Sequence, residues 1–117
     1  MPAVTYSSLL TLLHLTVDTL PQATAEAILD NAIDTINLYA NQDIANMSAG
    51  TVTLTSPQRG AVLQVAGAIY YFFYKGQTAS AIQGMAITAS SIMDNPYIVR
   101  LLEKVSRNLQ SRSIWVV

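Results

Sequence analysis

The sequence predicts a mainly α-helical fold: a bundle of three to four helices with an uncharged loop or β-hairpin at about 77–93 and an extended C-terminal tail. Two observations lead to this prediction. Apolar residues recur at three- and four-residue spacing in the long segments. Proline stands at the start of three of them, where its missing N–H costs no hydrogen bond. With 117 residues in all, we expect a single helical domain at 1–110 and a C-terminal extension at 111–117.

A short first helix is expected over residues 5–15. Leu9, Leu12 and Leu13 fall on one of its faces. Ser7 or Ser8 is the candidate N-cap, because a serine hydroxyl can accept a hydrogen bond from a free N–H of the first turn.

The clearest amphipathic helix is expected over residues 21–40. Three acidic side chains, Glu26, Asp30 and Asp34, follow one another at four-residue spacing on one face. Like charges at this spacing mildly destabilise an isolated helix, so we expect a basic group nearby. The apolar stripe on another face consists of Ala25, Ile28, Leu29, Ala32, Ile33, Ile36 and Tyr39.

A connection at 41–55 follows, and its alternating, β-branched residues 51–55 favour a short strand. The next helix is expected over 57–75, with Ser56 as N-cap and Gly76 as C-cap. Successive helical residues point about 100° apart, so the aromatic run 70–73 covers most of the helix circumference. Such a run cannot enter one small core completely. We therefore predict contact with another chain, with Tyr70 and Phe73 as candidate interface residues.

Residues 77–93 carry no charge. An uncharged loop of this length in a compact domain is usually functional or disordered, and a disordered loop usually carries more charge than this one. A β-hairpin or an extended arm that pairs with a neighbouring chain would explain the absence of charge. Ile82, Met85 and Ile87 are its candidate interface residues.

The last helix is expected over 96–110, with Asn95 as N-cap and Pro96 at its first position. Its apolar stripe runs from Ile98 to Leu109. The chain then ends in an apolar, β-prone segment, whereas termini are normally polar. We expect this segment to dock on its own domain or on another chain by strand addition. Its candidate interface residues are Ile114, Trp115, Val116 and Val117.

Charged residues make up 11% of the chain, against about 25% in a typical soluble domain. Part of the surface is therefore expected to be covered by other chains, although a monomer with a surface of Ser, Thr, Asn and Gln also fits. Residues 1–58 hold five acidic residues and no Lys or Arg, while residues 59–117 hold six basic and two acidic residues. This asymmetry favours either pairing within the chain or head-to-tail contact between chains, which closes rings. The candidate charge-pair faces are Glu26, Asp30 and Asp34 on one helix and Arg100, Lys104 and Arg107 on the other.

No catalytic, cofactor or metal site is expected, and we predict that the protein is not an enzyme. The chain has no cysteine and a single histidine, His14, so a zinc site would need carboxylates or water as ligands. No nucleophile-elbow or glycine-rich phosphate-binding motif occurs. The longest apolar stretch, 61–74, is shorter than the roughly 18 residues of a membrane span. The basic face of helix 96–110 leaves open an alternative, a small dimeric nucleic-acid-binding regulator.

Three segments resemble the small helical head–tail adaptor (connector) proteins of tailed double-stranded DNA phages and related proviruses. They are TLPQATAEAILDNAIDTINLYANQDI at 19–44, TVTLTSPQRGAVLQVAGAIYYFFYK at 51–75 and DNPYIVRLLEKVSRNL at 94–109, and they cover somewhat more than half of the chain. An acid-lined helix, a proline-started helix rich in Ala and Tyr and a final helix started by Asn-Pro occur in the same order and at similar length.

The resemblance implies a structural virion protein, made in the host cytoplasm, that forms a ring of typically twelve copies under the portal at the capsid vertex. The ring would extend the DNA channel, through which DNA passes without sequence recognition. The implied partners are further copies of the chain, the portal protein and a neck or tail-completion protein. The family has no catalytic residues to transfer. Residues 77–93 and 111–117 are, by composition, the candidate arms between chains.

Overall fold

The computed structural model describes the backbone of residues 3–77 and 87–116 and the side chains of these ranges as far as residue 109. The fold is mainly α-helical, as predicted. The described helices are α1 (Tyr6–Leu13), α2 (Gln22–Ala40), α3 (Ser56–Ile69), a π-helical turn (Tyr70–Tyr74), α4 (Ala89–Met93) and α5 (Pro96–Val116). Helix α3 continues directly into the π-helical turn. Two short antiparallel strands, β1 (Ala3–Val4) and β2 (Val52–Thr53), pair Ala3 with Thr53 and Val4 with Val52.

Helices α2 and α3 form the centre of the hydrophobic core. They pack against each other, and both pack against α1 and α5, while α4 packs against α2 and α5. The apolar stripe predicted for α2 is confirmed except for Tyr39, which is exposed. In α1, Leu9 and Leu10 are buried but Leu12 is exposed, so the predicted face of that helix is only partly right. Fully buried side chains of the core include Ile28, Leu29, Ile33, Ile36, Val62, Val65, Ile69, Ile98 and Leu102.

The connection between α2 and α3 is held against α2 by polar contacts. The side-chain amide of Asn37 donates to the carbonyl of Ile44 and its oxygen accepts from the Ile44 N–H, each at 2.9 Å. A tight turn joins Ser48 to Thr51, with positive φ at both Ala49 and Gly50. Such turns favour glycine. A Cβ at residue 50 would also lie 3.0 Å from a carboxylate oxygen of Glu26.

The start of α3 lies one residue earlier than predicted. Thr55, not Ser56, is the N-cap: its hydroxyl accepts from the Gln58 N–H at 3.3 Å, and the Gln58 side chain accepts from the Thr55 N–H at 3.1 Å. This reciprocal pair satisfies two backbone donors at once, which a cap at Ser56 would not do. At the other end, the C-cap is Lys75, one residue before the predicted Gly76, which follows it with a φ of +87°.

Two predictions for the C-terminal half differ from the structure. The backbone of α5 is helical as far as Val116, whereas the chain after residue 110 was expected to be extended. No Gly or Pro occurs between Tyr97 and Val116 to stop the helix, and propagation of a formed helix outweighs the β-propensity of the last residues. Within the predicted uncharged loop, Ala89–Met93 forms α4, capped by Thr88 and anchored by the buried Ile92.

Candidate assembly surface

A π-helical turn divides the aromatic run between core and surface. The Lys75 N–H donates to the carbonyl of Tyr70, five residues earlier, at 2.9 Å, and this spacing is that of a π-helix. Tyr70 and Tyr74 enter the core, whereas Tyr71 and Phe72 remain 57% and 41% exposed. Burial raises the pKa of the Tyr74 hydroxyl above its ordinary value of 10.0.

Three exposed rings form one surface, which we call the aromatic cluster: Tyr71, Phe72 and Tyr97. The rings of Tyr71 and Phe72 meet edge to face, with centroids 5.1 Å apart. The rings of Phe72 and Tyr97 stack at 5.6 Å with only 12° between their planes. Lys75 places its Nζ atom 4.6 Å from the centroid of Tyr71, within the range of a cation–π contact. The cluster therefore joins the end of the α3 segment to the start of α5.

The N-cap of α5 fixes the position of Tyr97 in this cluster. The Asn95 side-chain oxygen accepts from the N–H groups of Tyr97 and Ile98 at 2.9 and 3.2 Å. Tyr97 itself is 65% exposed. Arg100 and Lys104 are also exposed and follow Tyr97 at the spacing that shares a helix face. The aromatic cluster thus has a basic border.

A second exposed apolar surface lies at the C-terminal end of α2. Leu38 is 63% exposed and Tyr39 is 36% exposed. Asp34 lies one helical turn before Leu38, and Asp43 follows the helix; both carboxylates are exposed. We call these four residues, Asp34, Leu38, Tyr39 and Asp43, the acidic end of α2.

The residues predicted to form an interface have different positions in the structure. Tyr70 lies in the core, while Phe73 is half-buried against the core. Ile87 is half-buried in the same way. Ile82, Met85 and Val117 lie outside the described residues. The backbone of Ile114, Trp115 and Val116 is helical, and their side chains are outside the described part of the structure.

The exposed rings were not identified from the sequence. Tyr97 carried a usable signal: it lies outside the apolar stripe of its helix, which is how an exposed position is recognised. Tyr71 carried a signal as well, because it lies seven residues after the exposed Gln64 and therefore on the same face of a regular α-helix. Phe72 carried none, because the π-helical turn departs from the regular α-helical spacing.

The acidic face of α2 is contacted by the α2–α3 connection, and no contact to the basic residues of α5 occurs among the residues whose side chains the structure describes. Asp30 accepts from the Met47 N–H at 2.8 Å. Asp34 accepts from the side-chain amide of Asn46 at 2.9 Å. Glu26 accepts a longer bond, 3.3 Å, from Gln22. The exposed side chains of Arg100, Lys104 and Arg107 all lie on α5.

His14 has a local structural role. It is the C-cap of α1, in the left-handed conformation with a φ of 57°, and its side chain is exposed. In the part of the chain that the structure describes, no group of three or more His, Cys, Asp or Glu residues is arranged to hold a metal ion. Among the described helices, none combines the length and the apolar character needed to cross a membrane.

No protein-family model, curated protein or solved structure matches the chain.

Proposed function

We propose that the chain is a structural subunit that assembles with copies of itself, and that it serves as a head–tail connector in a phage or provirus particle, as its resemblance to that family implies. It performs no catalysis in this role. The ring would lie between the portal and the next neck or tail protein and would extend the DNA channel. The observation that carries the assembly part of this proposal is the exposed aromatic cluster.

The aromatic cluster has the properties of an interface centre. Aromatic residues are enriched among the few residues that dominate binding energy in protein interfaces. Tyr71, Phe72 and Tyr97 leave 57%, 41% and 65% of their surfaces exposed. An isolated exposed apolar residue is normal, whereas contiguous apolar groups with a polar border are typical of an interaction site.

The rings of the cluster already contact one another within the single chain. Phe72 is held between Tyr71 on one side and Tyr97 on the other. Tyr97 is positioned in turn by the cap at Asn95. Side chains that are already fixed lose less conformational entropy when a partner covers them. Such preorganisation favours tight contact with a protein surface.

One observation favours a second candidate function, a small dimeric regulator that binds nucleic acid. Arg100, Lys104 and Arg107 are all exposed on α5, and such a row can contact phosphates. Against it, the chain has a net charge of −1, whereas dedicated nucleic-acid binders are basic. Glu103, which is also exposed, reduces the charge of the same helix.

Sedimentation velocity and negative-stain electron microscopy of the purified chain test the proposal. We expect a concentration-dependent increase in mass and closed rings at high concentration. Replacing the whole cluster, Tyr71→Ser, Phe72→Ser and Tyr97→Ser, should abolish both without loss of helical circular dichroism, because all three rings are exposed. Gln64→Ser, at an exposed position of α3, is the matched control and should assemble like the parent chain.

A chain that stays monomeric at millimolar concentration would contradict the proposal. So would a dimer that binds a DNA duplex with strong salt dependence and loses that binding in Arg107→Ala. The second result would support the regulator.

A further inference from the structure

We infer that the aromatic cluster of one copy docks on the acidic end of α2 of the next copy, so that assembly proceeds head to tail through these two surfaces. The inference rests on the proposed function, because it names the partner surface in that assembly. The occupant of the cluster is thus a second copy of this chain.

Charge complementarity selects the acidic end of α2. The cluster is bordered by three cations: Lys75, which contacts Tyr71, and Arg100 and Lys104 on α5. The acidic end of α2 presents the exposed carboxylates of Asp34 and Asp43. No Lys or Arg occurs in residues 1–58, so no cation of that half of the chain repels the basic border. Opposite charges around an apolar centre set orientation and partner choice.

The two surfaces also both have a strongly exposed apolar residue at their centre. Tyr97 and Leu38 are the most exposed of the described large apolar residues, at 65% and 63%. Leu38 and Tyr39 are consecutive on the last turn of α2, and both are exposed. Apolar area of this kind gains about 25 cal/mol per Å² when it is removed from water. Docking would cover apolar surface on both copies and place the charges at the rim.

The other exposed apolar residues fit less well. Leu12 and Val17 are 49% and 50% exposed, but they belong to α1 and the following turn. Asp18 is the one charged residue in the segment 5–20 that contains them. The acidic end of α2 offers two carboxylates and the more exposed aliphatic side chain.

The two surfaces belong to different elements of one chain, which makes the contact heterologous. Each copy uses its aromatic cluster toward one neighbour and its acidic end toward the other, and such contacts build rings or open filaments. A two-fold dimer would instead bring the same surface of both copies together. This difference gives a decisive experiment.

Two variants of the full chain, each defective in one surface, provide the test. The cluster variant carries Phe72→Ser and Tyr97→Ser, and the acidic-end variant carries Leu38→Ser and Tyr39→Ser. Alone, each should raise the Kd of self-association at least about tenfold, as loss of central interface residues does. Leu12→Ser with Val17→Ser is the control, because it removes comparable apolar surface and should assemble like the parent chain. Circular dichroism checks that every variant is folded.

A mixture of the two variants shows whether the aromatic cluster of one copy docks on the acidic end of another. The acidic-end variant keeps an intact aromatic cluster, which can dock on the intact acidic end of the cluster variant. The two surfaces that remain free in this pair are both defective. We expect a 1:1 heterodimer that grows no further, measured by native mass spectrometry. In the same way, Arg100→Glu and Asp43→Lys should each weaken assembly alone and associate when mixed.

The possible failures are distinguishable. A parent chain that does not self-associate contradicts both the proposed function and this inference. Assembly of the acidic-end variant at the parental Kd contradicts this inference alone, as does a mixture of two impaired variants that stays monomeric. Binding of a fluorescent single-stranded oligonucleotide that is lost in the cluster variant, with self-association unchanged, would assign the cluster to nucleic acid and overturn the inference.

Discussion

Asn37 makes two of the polar contacts that hold the α2–α3 connection to the body of the protein. Its amide pairs with both backbone polar groups of Ile44, a residue only 4% exposed. Backbone groups buried at such a position need partners, because water cannot reach them. A single side chain thus fixes the point at which the chain leaves the C-terminal end of α2, where Leu38 and Asp43 are presented.

Replacing Asn37 with alanine should lower the free energy of unfolding by about 1–3 kcal/mol, because one donor and one acceptor lose their partners in a buried position. Urea denaturation followed by circular dichroism measures this change. Gln42→Ala is the matched control: its amide makes one bond of 3.4 Å, to the Ala40 carbonyl. Equal stability of the two variants would show that the Asn37 contacts do not hold the connection.

Tyr74 should make stability depend on alkaline pH. Burial raises the pKa of its hydroxyl above 10.0 in the folded chain, so between the unfolded and the folded pKa the unfolded chain releases a proton that the folded chain keeps. Its stabilising contribution is therefore complete below pH 10.0 and is lost as the pH rises through the folded pKa. Tyr74→Phe should reduce this decline in unfolding free energy. An unchanged decline in Tyr74→Phe would contradict the assignment.

The helices differ in how far their bounds could be predicted, and the difference follows from the residues that mark the start and the end of each helix. Helix α2 was predicted over 21–40 and lies at Gln22–Ala40, because Pro21 marks its start and Asn41 adopts the left-handed conformation at its end. Helix α5 has the same clear start at Asn95 and Pro96. Its far end was predicted wrongly, since the sequence holds no stop signal there and only a β-prone composition suggested one.

The candidate surface could be predicted only in part, for a different reason. Aromatic excess in 70–74 indicated that some rings remain outside the core. The choice of the rings that remain exposed depends in part on the π-helical turn. No local sequence signal specifies the hydrogen bonds of that turn. Tyr70, which was predicted as an interface residue, is 9% exposed, whereas Tyr71 and Phe72 are the exposed pair.

The N-cap of α5 both starts a helix and positions a ring of the cluster. Asn95→Ala should lower the free energy of unfolding by about 0.5–2 kcal/mol, the usual cost of losing such a cap. Asn95→Asp keeps a side-chain acceptor and serves as the control, with a smaller loss. Thermal unfolding followed by circular dichroism compares the two variants. If alanine cost no more than aspartate, the hydrogen bonds of Asn95 to Tyr97 and Ile98 would not be stabilising the helix start.

At the scale of the whole molecule, the fold hides most of its aliphatic side chains but leaves apolar surface at defined places. The core is continuous through α2, α3 and α5. The aromatic cluster and the acidic end of α2 are outside it, and their charges are of opposite sign. A chain with only 11% charged residues can bring such surfaces together between copies with little electrostatic repulsion.

Hydroxyl-radical footprinting of the parent chain, at a dilution where it is monomeric and at a concentration where its mass has increased, tests this account most directly. We expect oxidation of Tyr71, Phe72, Tyr97, Leu38 and Tyr39 to fall on assembly, while oxidation of Leu12 stays constant. An increase in mass with unchanged oxidation of the aromatic cluster would contradict the account, because copies would then be meeting through some other surface.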